Sequence, residues 1–316
     1  MMKTTQISIL ARIYGNVNAD ETIGNRITIK KFYSSEGEVL PFVSARAIKY
    51  AIRKALKEKG FDIDPFVIEK KEMKDSGDPI KYIDNDLFGF MVPYKGEKKG
   101  KGESIKRQAP IAISYLKAIK NTPVTVEFGA RFPREDTLKI NKKDSEEKNT
   151  EDLNPVPFEI EVADFIGRLN VVIYDYIGKF TKEEIANVQN KNILTEDKNG
   201  YYTLSKNERE RRLRAFLEIL LTPRYVLPRR TNSLNIPEYK VAVITLNKDG
   251  VLPIYQYLDY RKVGEVDIEK LRKLKSICEE VGSEIYIIDY EGWVKEDIIP
   301  KIGIKEAIDK IVNHLL

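Results

Sequence analysis

One cysteine in 316 residues excludes an intramolecular disulfide framework and any zinc site built from several thiolates. That residue, Cys278, lies within the apolar-periodic stretch DIEKLRKLKSICEEV, so a packed core thiol is the expected role. The single histidine, His314, stands near the end of an amphipathic stretch. Imidazole acid–base or triad chemistry would depend on a fraying terminus. Long apolar runs are missing too: no stretch of about 18 apolar residues occurs, and MMKTTQISILARIYG lacks the apolar core of a secretion signal. A soluble cytoplasmic protein is expected. HExxH, CxxC, Walker A and GxSxG patterns are absent, and KGEKKGKGES has glycines and lysines without the G-K-[ST] ending that places a hydroxyl on magnesium. No internal repeat is visible.

Charge, by contrast, is plentiful. Charged residues make up 33% of the chain, with 54 Lys plus Arg against 49 Asp plus Glu, a net charge of +5. So small an excess favours an anionic partner only through its distribution. Abundant Lys, Glu, Ile and Tyr beside little Cys and Met resembles the composition of proteins that work hot.

The pattern along the chain is α+β. TQISILARIYG alternates as a strand buried on one face, RITIKKF reads as a second strand, and SSEGE as a hairpin turn. Ser44 stands where an N-cap belongs, before Ile48, Ala51, Ile52, Ala55 and Leu56 at helical spacing. From Gly60 to about Lys120 the pattern loosens into an insertion with a Gly/Lys-rich loop. PVTVEFGARF reads as a strand, followed by a polar excursion too long for an ordinary connection. Later come the strand-like GRLNVVIYDYIGKF, a helix over NERERRLRAFLEILL with Arg opposite its Leu213/Phe216/Leu217/Leu220 face, strands YKVAVITL and EIYIIDY, and a final helix from about Ile304. Strands flanking helices in this order suggest a ferredoxin-like sandwich, with two helices on one sheet face and the other face free.

The stretch LPFVSARAIKYAIRKALK, Leu40 to Lys57, holds five basic side chains and no acid. On a helical wheel Arg46, Lys49, Arg53 and Lys57 fall within about 80° of one another, opposite the apolar stripe, and form a ridge roughly 16 Å long. Ordinary exposed helices intersperse both signs, so an acid-free face points to successive phosphates rather than to mere solvation. Lys30 and Lys31 precede this helix. Lys95, Lys98, Lys99, Lys101, Lys106 and Arg107 crowd the Gly-rich loop, and Arg229 with Arg230 follows a helix end. Tyr50, Phe32 and Tyr33 could stack bases or pack in a core. Asp84 and Asp86 in YIDNDLF are either a paired-acid metal site or solvated turn and cap acids. Replacing Lys49 and Arg53 with Glu is expected to weaken binding of the anion without unfolding the chain.

The order of P-x-V-S-x-x-x-I-x-x-A-I-R at Pro41 to Arg53, NDLFGFM at Asn85 to Met91, KRQAPIAISYL, and LEILLTPRYVLPRRTN…IP resembles the DevR-type backbone subunit of the type I CRISPR effector complex Cascade. That family belongs to the RAMP superfamily, and the pattern points to subtype I-B. The resemblance implies an α+β, modified RRM/ferredoxin-like palm over 1–59, 121–131 and 158–316, a helical finger insertion over 60–120, and a protruding thumb over 132–157. It implies several copies stacked on one guide RNA (crRNA), with no cofactor, metal or catalytic residue. The implied partners are the target DNA strand, a cap subunit, a large subunit, a guide-processing endonuclease and a helicase–nuclease recruited later. By position, backbone contacts fall on Ser44, Arg46, Lys49, Tyr50 and Arg53, with Lys31 on the preceding hairpin and Arg229 and Arg230 in a later loop. That loop reads PRYVLPRR where relatives usually have a glycine-rich turn. A related type III subunit cleaves RNA through a metal-binding Asp at the hairpin position that here carries Lys30 or Lys31. An RNA-cleaving subunit of that kind and an autoregulatory nucleic-acid-binding protein are the competing readings.

Overall fold

The first strand is apolar at every other position, yet it is covered on both sides. In the computed structural model of the chain, residues 2–17, 19–69, 72–93, 104–131, 156–228 and 235–316 are described. β1 (Thr4–Gly15) sends Ile7, Ile9 and Ile13 into one core and Leu10 into a second. Two of its buried polar side chains are bonded, Gln6 donating to the Leu252 carbonyl and Ser8 Oγ to Asn170 Oδ1, while the buried Thr5 hydroxyl has no hydrogen-bond partner among the described residues. Period-two alternation therefore led to the expectation of one buried face, whereas hydrogen bonding lets the polar half be buried too.

The chain continues through β2 (Ala19–Ile23), β3 (Arg26–Ile29), β4 (Lys31–Tyr33), β5 (Val39–Val43) and α1 (Ala45–Glu58). SSEGE makes the β4–β5 turn, with Ser34 Oγ accepting from the Glu36 and Glu38 amides. After α1 come β6 (Val67–Glu69), β7 (Glu72–Lys74), α2 (Ile83–Phe88), β8 (Phe90–Pro93) and β9 (Ser104–Arg107), whose strands, among the described residues, pair only as β6 with β7 and β8 with β9. The main sheet resumes at β10 (Ile111–Ile113) and β11 (Leu116–Ala118), within the range expected for the insertion.

β12 (Thr125–Arg131) and β13 (Val156–Tyr174) follow. Then come β14 (Lys179–Phe180), β15 (Thr195–Glu196), β16 (Tyr202–Thr203), α3 (Lys206–Leu221) and β17 (Glu238–Asn247). The chain closes with β18 (Tyr260–Lys262), β19 (Glu265–Val266), α4 (Ile268–Glu280), β20 (Glu284–Asp289) and α5 (Ile304–Leu315). The main order is β20-β17-β1-β13-β11-β5-β4, with every one of these pairings antiparallel.

β13 is the spine. Its 19 residues extend about 60 Å. Ala163–Tyr174 pairs with β1, while Val156–Val162 runs on past β1 to pair with β12 and, in parallel, with β3. A small arm of β12, β13, β3 and β2 thus extends the sheet. The expected thumb, 132–157, falls almost wholly outside the described residues.

α1, α3 and α5 share one face. α1 packs on α3 and α3 on α5, and Ile48, Ile52 and Leu56 share one core with Leu213, Phe216 and Leu220 of α3, Ile308 and Ile311 of α5, and the odd-numbered Leu169 and Val171 of β13. Burying each large aliphatic side chain contributes about 1.5–3 kcal/mol, which fixes α1 by its stripe and leaves its opposite side free for other work. The second face is not free as the sandwich reading expected. Over β20, β17 and β1 it is covered by α4, whose Leu271, Leu274 and Cys278 pack on Leu10, Val241, Val243 and Ile287. Cys278 is fully buried, and burial pushes its thiol up to about 11, so the core-thiol reading stands. His314 is anchored rather than frayed: its Nε2 lies 3.2 Å and 3.0 Å from the Thr4 and Asn247 carbonyl oxygens. Among the described residues no helix is long and apolar enough to cross a membrane.

Candidate nucleic-acid interface

α1 begins where Ser44 Oγ accepts the Ala47 amide and is capped at Lys59, after which Gly60 turns the chain with a φ of +85° that suits glycine. Its first turn has no acid, although the N-terminal end of a helix favours one. Arg46, Lys54 and Lys57 are exposed, and Tyr50 is 62% exposed. The expected ridge is therefore present, with Tyr50 beside it.

Two members of the ridge are held. The Arg53 guanidinium lies 5.1 Å and the Lys49 ammonium 5.4 Å from the centre of the Phe88 ring. Arg53 Nε also donates to Asp84 Oδ2 at 3.0 Å, and the other Asp84 oxygen accepts the Asp64 amide. Asp84 and Phe88 both come from α2, so the insertion supplies the floor beneath the middle of the ridge. Burial, with the Arg53 charge adding to it, pushes the Lys49 ammonium below its ordinary value. The free protein thus holds an imperfectly solvated cation that an anion would stabilise. Arg53→Glu would set a carboxylate against Asp84, so the Lys49/Arg53 double exchange, expected to leave the chain folded, would remove a packing contact as well as charge.

The hairpin lysines differ from one another. Lys30 is half-buried. Lys31 Nζ lies 2.8 Å from Glu161 Oε2 of β13, and the same oxygen accepts the Ile29 amide. Burial raises the Glu161 carboxyl, but these two partners outweigh it and hold it below its ordinary range. Lys31 therefore ties the β4 edge to the arm, and its charge is largely matched.

Arg107 is not on the surface. Its side chain is 0% exposed, with Nη2 2.6 Å from Asp86 Oδ1 and Nη1 2.9 Å from Glu184. It also donates to the Asp86, Lys179 and Tyr176 carbonyls. The second Asp86 oxygen takes Arg212 Nη1 at 2.8 Å, and both carboxylate oxygens accept the Gly178 amide. The reading of Arg107 as an RNA contact is corrected: the Gly-rich loop's last arginine turns inward to a buried carboxylate. Asp84 and Asp86 are not solvated turn acids, because each neutralises a buried or half-buried arginine. Of the arginines expected opposite the apolar face of α3, Arg211 is exposed, whereas Arg209 and Arg212 are buried and bonded to carbonyls of the insertion and of the segment after β13. Arg229 and Arg230 lie outside the described residues. Among the described residues no three His, Cys, Asp or Glu side chains gather to hold a metal ion.

The family described as "CRISPR-associated negative auto-regulator DevR/Csa2" matches residues 9–231, well over half of the chain. The chain belongs to the DevR/Csa2 family. The match spans α1, the insertion, the arm and α3, the elements that build the ridge and its floor. No curated protein matches the sequence. Solved structures similar to this DevR/Csa2 protein include a chain titled "CRISPR RNA-guided surveillance complex", with 12% identity, a TM-score of 0.57, and coverage of 99% of this chain and 100% of that one. A second, titled "CRISPR RNA-guided surveillance complex, pre-nicking", matches with the same figures. At that identity the likeness speaks for fold alone.

Sequence reasoning missed Phe88 as the ring under the ridge and Asp84 as its anchor. The signal was available in part: Asp84 and Phe88 are four apart in YIDNDLF, hence on one side of a helix. It also missed Lys117 and Arg168, which stand alone in the sequence and meet only across strands.

Proposed function

We propose that this DevR/Csa2 protein is a non-catalytic subunit that binds a CRISPR guide RNA along its phosphate backbone, oligomerises on it, and presents it for pairing with target DNA in a type I Cascade complex. The observation that carries this reading is the outer face of α1, free of acids until Glu58 at its last position, where Arg46, Lys54 and Lys57 reach solvent while Lys49 and Arg53 are positioned over Phe88. Such a face supplies affinity and register but no base specificity, which leaves sequence reading to base pairing. We read the order β17-β1-β13-β11, with α1 and α3 on one face, as the RRM/ferredoxin-like palm. We take residues 60–110 as the finger and the β12–β13 pair as the base of the thumb. Its partners in this reading are the guide, the target strand, further copies of itself, and the cap, large and guide-processing subunits, with the helicase–nuclease joining later. The cation of Lys31 against Glu161, at the hairpin where cleavage would need a metal-binding acid, favours holding over cutting.

The test is RNA binding by the full chain with Arg46 and Lys57 exchanged for Glu. Every phosphate that the variant no longer neutralises should lower the slope of log affinity against log salt by about 0.7. Unchanged slope and affinity in low salt would overturn the ridge. The family description itself, a negative auto-regulator, favours a second reading as a regulator of its own expression. Tighter binding to duplex DNA than to single-stranded RNA would establish that one instead.

A further inference from the structure

On the sheet face turned away from α1, beyond the edge of the α4 layer, the even-numbered residues of β13 come to the surface. Leu169 and Val171 point to α1, so Arg168 and Asn170 point the other way. Phe42 of β5, Lys117 of β11 and Arg168 of β13 are direct cross-strand neighbours in one row. Phe32 stacks on Phe42 at 4.2 Å between ring centres, and Tyr115 stands edge-on to both, at 5.6 Å and 5.1 Å. These side chains border a concavity of about 440 Å3 lined by Phe32, Tyr115, Lys117, Arg168, Ser114 and Asn170. Phe32 is 38% and Tyr115 48% exposed.

The charge in this concavity is what singles it out. A hollow of similar size, about 450 Å3, lies between Arg12 and Lys240, but there Asp164 and Glu291 neutralise both cations. No carboxylate lines the concavity at Tyr115. Lys117 forms no ion pair among the described residues and rests 6.0 Å from the Phe32 ring centre. The Arg168 side chain donates, among the described residues, only to the Leu258 carbonyl. Burial lowers its pKa, partly offset by Asp259, which is itself taken by Lys270. Lys117 without an ion pair and Arg168 facing a carboxylate already held by Lys270, around exposed rings, fit a flat, anionic ligand, and the volume lies in the range of small-molecule sites.

We propose that this concavity is a second nucleic-acid contact, which takes one unpaired nucleobase against Tyr115 and Phe32 and the adjoining phosphate between Lys117 and Arg168. It goes beyond the ridge, because it lies on the opposite face of the sheet and reads a base plane rather than a run of phosphates. Any single-stranded RNA would satisfy it, whether or not that RNA is a guide.

The probe is a single-stranded oligoribonucleotide of about 12 nucleotides, within the span such surfaces cover, beside an abasic oligomer of equal phosphate count. The full chain should prefer the base-bearing strand, and Tyr115→Ala should remove that preference with a loss of about tenfold in affinity. Lys117→Gln, which leaves every ring in place, should weaken both strands alike. Arg46→Glu with Lys57→Glu should weaken both strands and keep the preference, so failure of the ridge and failure of the platform are told apart. A base preference that survives Tyr115→Ala overturns the proposal. So does unchanged RNA binding by the Tyr115 and Lys117 variants accompanied by impaired self-association, which would assign the patch to an interface between copies.

Discussion

Two arginine-rich stretches look alike on paper and end on opposite sides of the protein surface. In ARAIKYAIRKALKE the cations line an outer face, while in KNERERRLRAFLEILL Arg209 and Arg212 are buried. The difference lies in the acids within reach. α3 carries Glu208 and Glu210 a turn away from its arginines and meets Asp86 from α2, whereas α1 carries only Glu58, at its last position, and meets Asp84 from α2. A buried guanidinium needs a carboxylate or several carbonyls, so an arginine rich in potential partners can go inside. One without them stays outside, ready for an external anion.

Removing the buried partner should have the largest effect. Asp86→Ala leaves Arg107 and Arg212 buried beside one another without their shared carboxylate. A loss of about 3–5 kcal/mol is expected from denaturant unfolding. A loss under about 1 kcal/mol, within the range of ordinary surface changes, would end the contrast between the two arginine sets.

Gly89, which closes the α2 motif, comes next. Its φ is +73°, and a Cβ there would stand 2.4 Å from the Arg107 carbonyl oxygen. Gly89→Ala should cost roughly 1–3 kcal/mol and loosen the floor under the ridge. Wild-type stability with wild-type RNA affinity would show that α2 does not position Arg53.

The charge exchange at Arg46 and Lys57 should do the reverse of Asp86→Ala. Stability should stay within about 0.5 kcal/mol, as exposed sites allow, while RNA affinity in low salt drops by about tenfold or more. An unfolded double variant would place these residues in the packing rather than on the interface.

A pH experiment sharpens the role of the hairpin. The Glu161 carboxyl is held below its ordinary 4.5, so its contribution is present above that value and lost as pH falls through the depressed one. In Lys31→Met, burial is left to raise the carboxyl, and the acid loss of stability should begin at higher pH. Superimposable acid limbs for the two proteins would remove the Lys31–Glu161 pair from the account. The smallest effect belongs to Lys49. Its ammonium is disfavoured by burial and by Arg53, so Lys49→Met should stabilise the free chain by about 0.5 kcal/mol while weakening RNA binding. A destabilised Lys49→Met would show that the stem packing of the lysine outweighs its charge.

Much of the architecture was legible because it rests on periodicity. Ile48, Ile52 and Leu56 announce α1, Ser34 and Gly37 announce the β4–β5 turn, and the 278 region announces a helix with an inward thiol. Other readings failed for a common reason. Gln6 and Ser8 look like the wet side of a strand, Asp84 and Asp86 like turn acids, and Arg107 like the end of a basic loop. Each is buried against a partner at least 20 residues away or on another element.

Local spacing, then, determined by itself that α1 has one apolar and one basic side, because a helix converts residue number into angle and nothing else is needed. Only the tertiary structure decided which cations remain available. Pairing inside a protein depends on distances across strands and between helices, and Asp86 reaches Arg107 and Arg212 from 21 and 126 residues away. The same packing set Lys117 beside Arg168 with no acid between them, a juxtaposition created by β-sheet register rather than by sequence proximity.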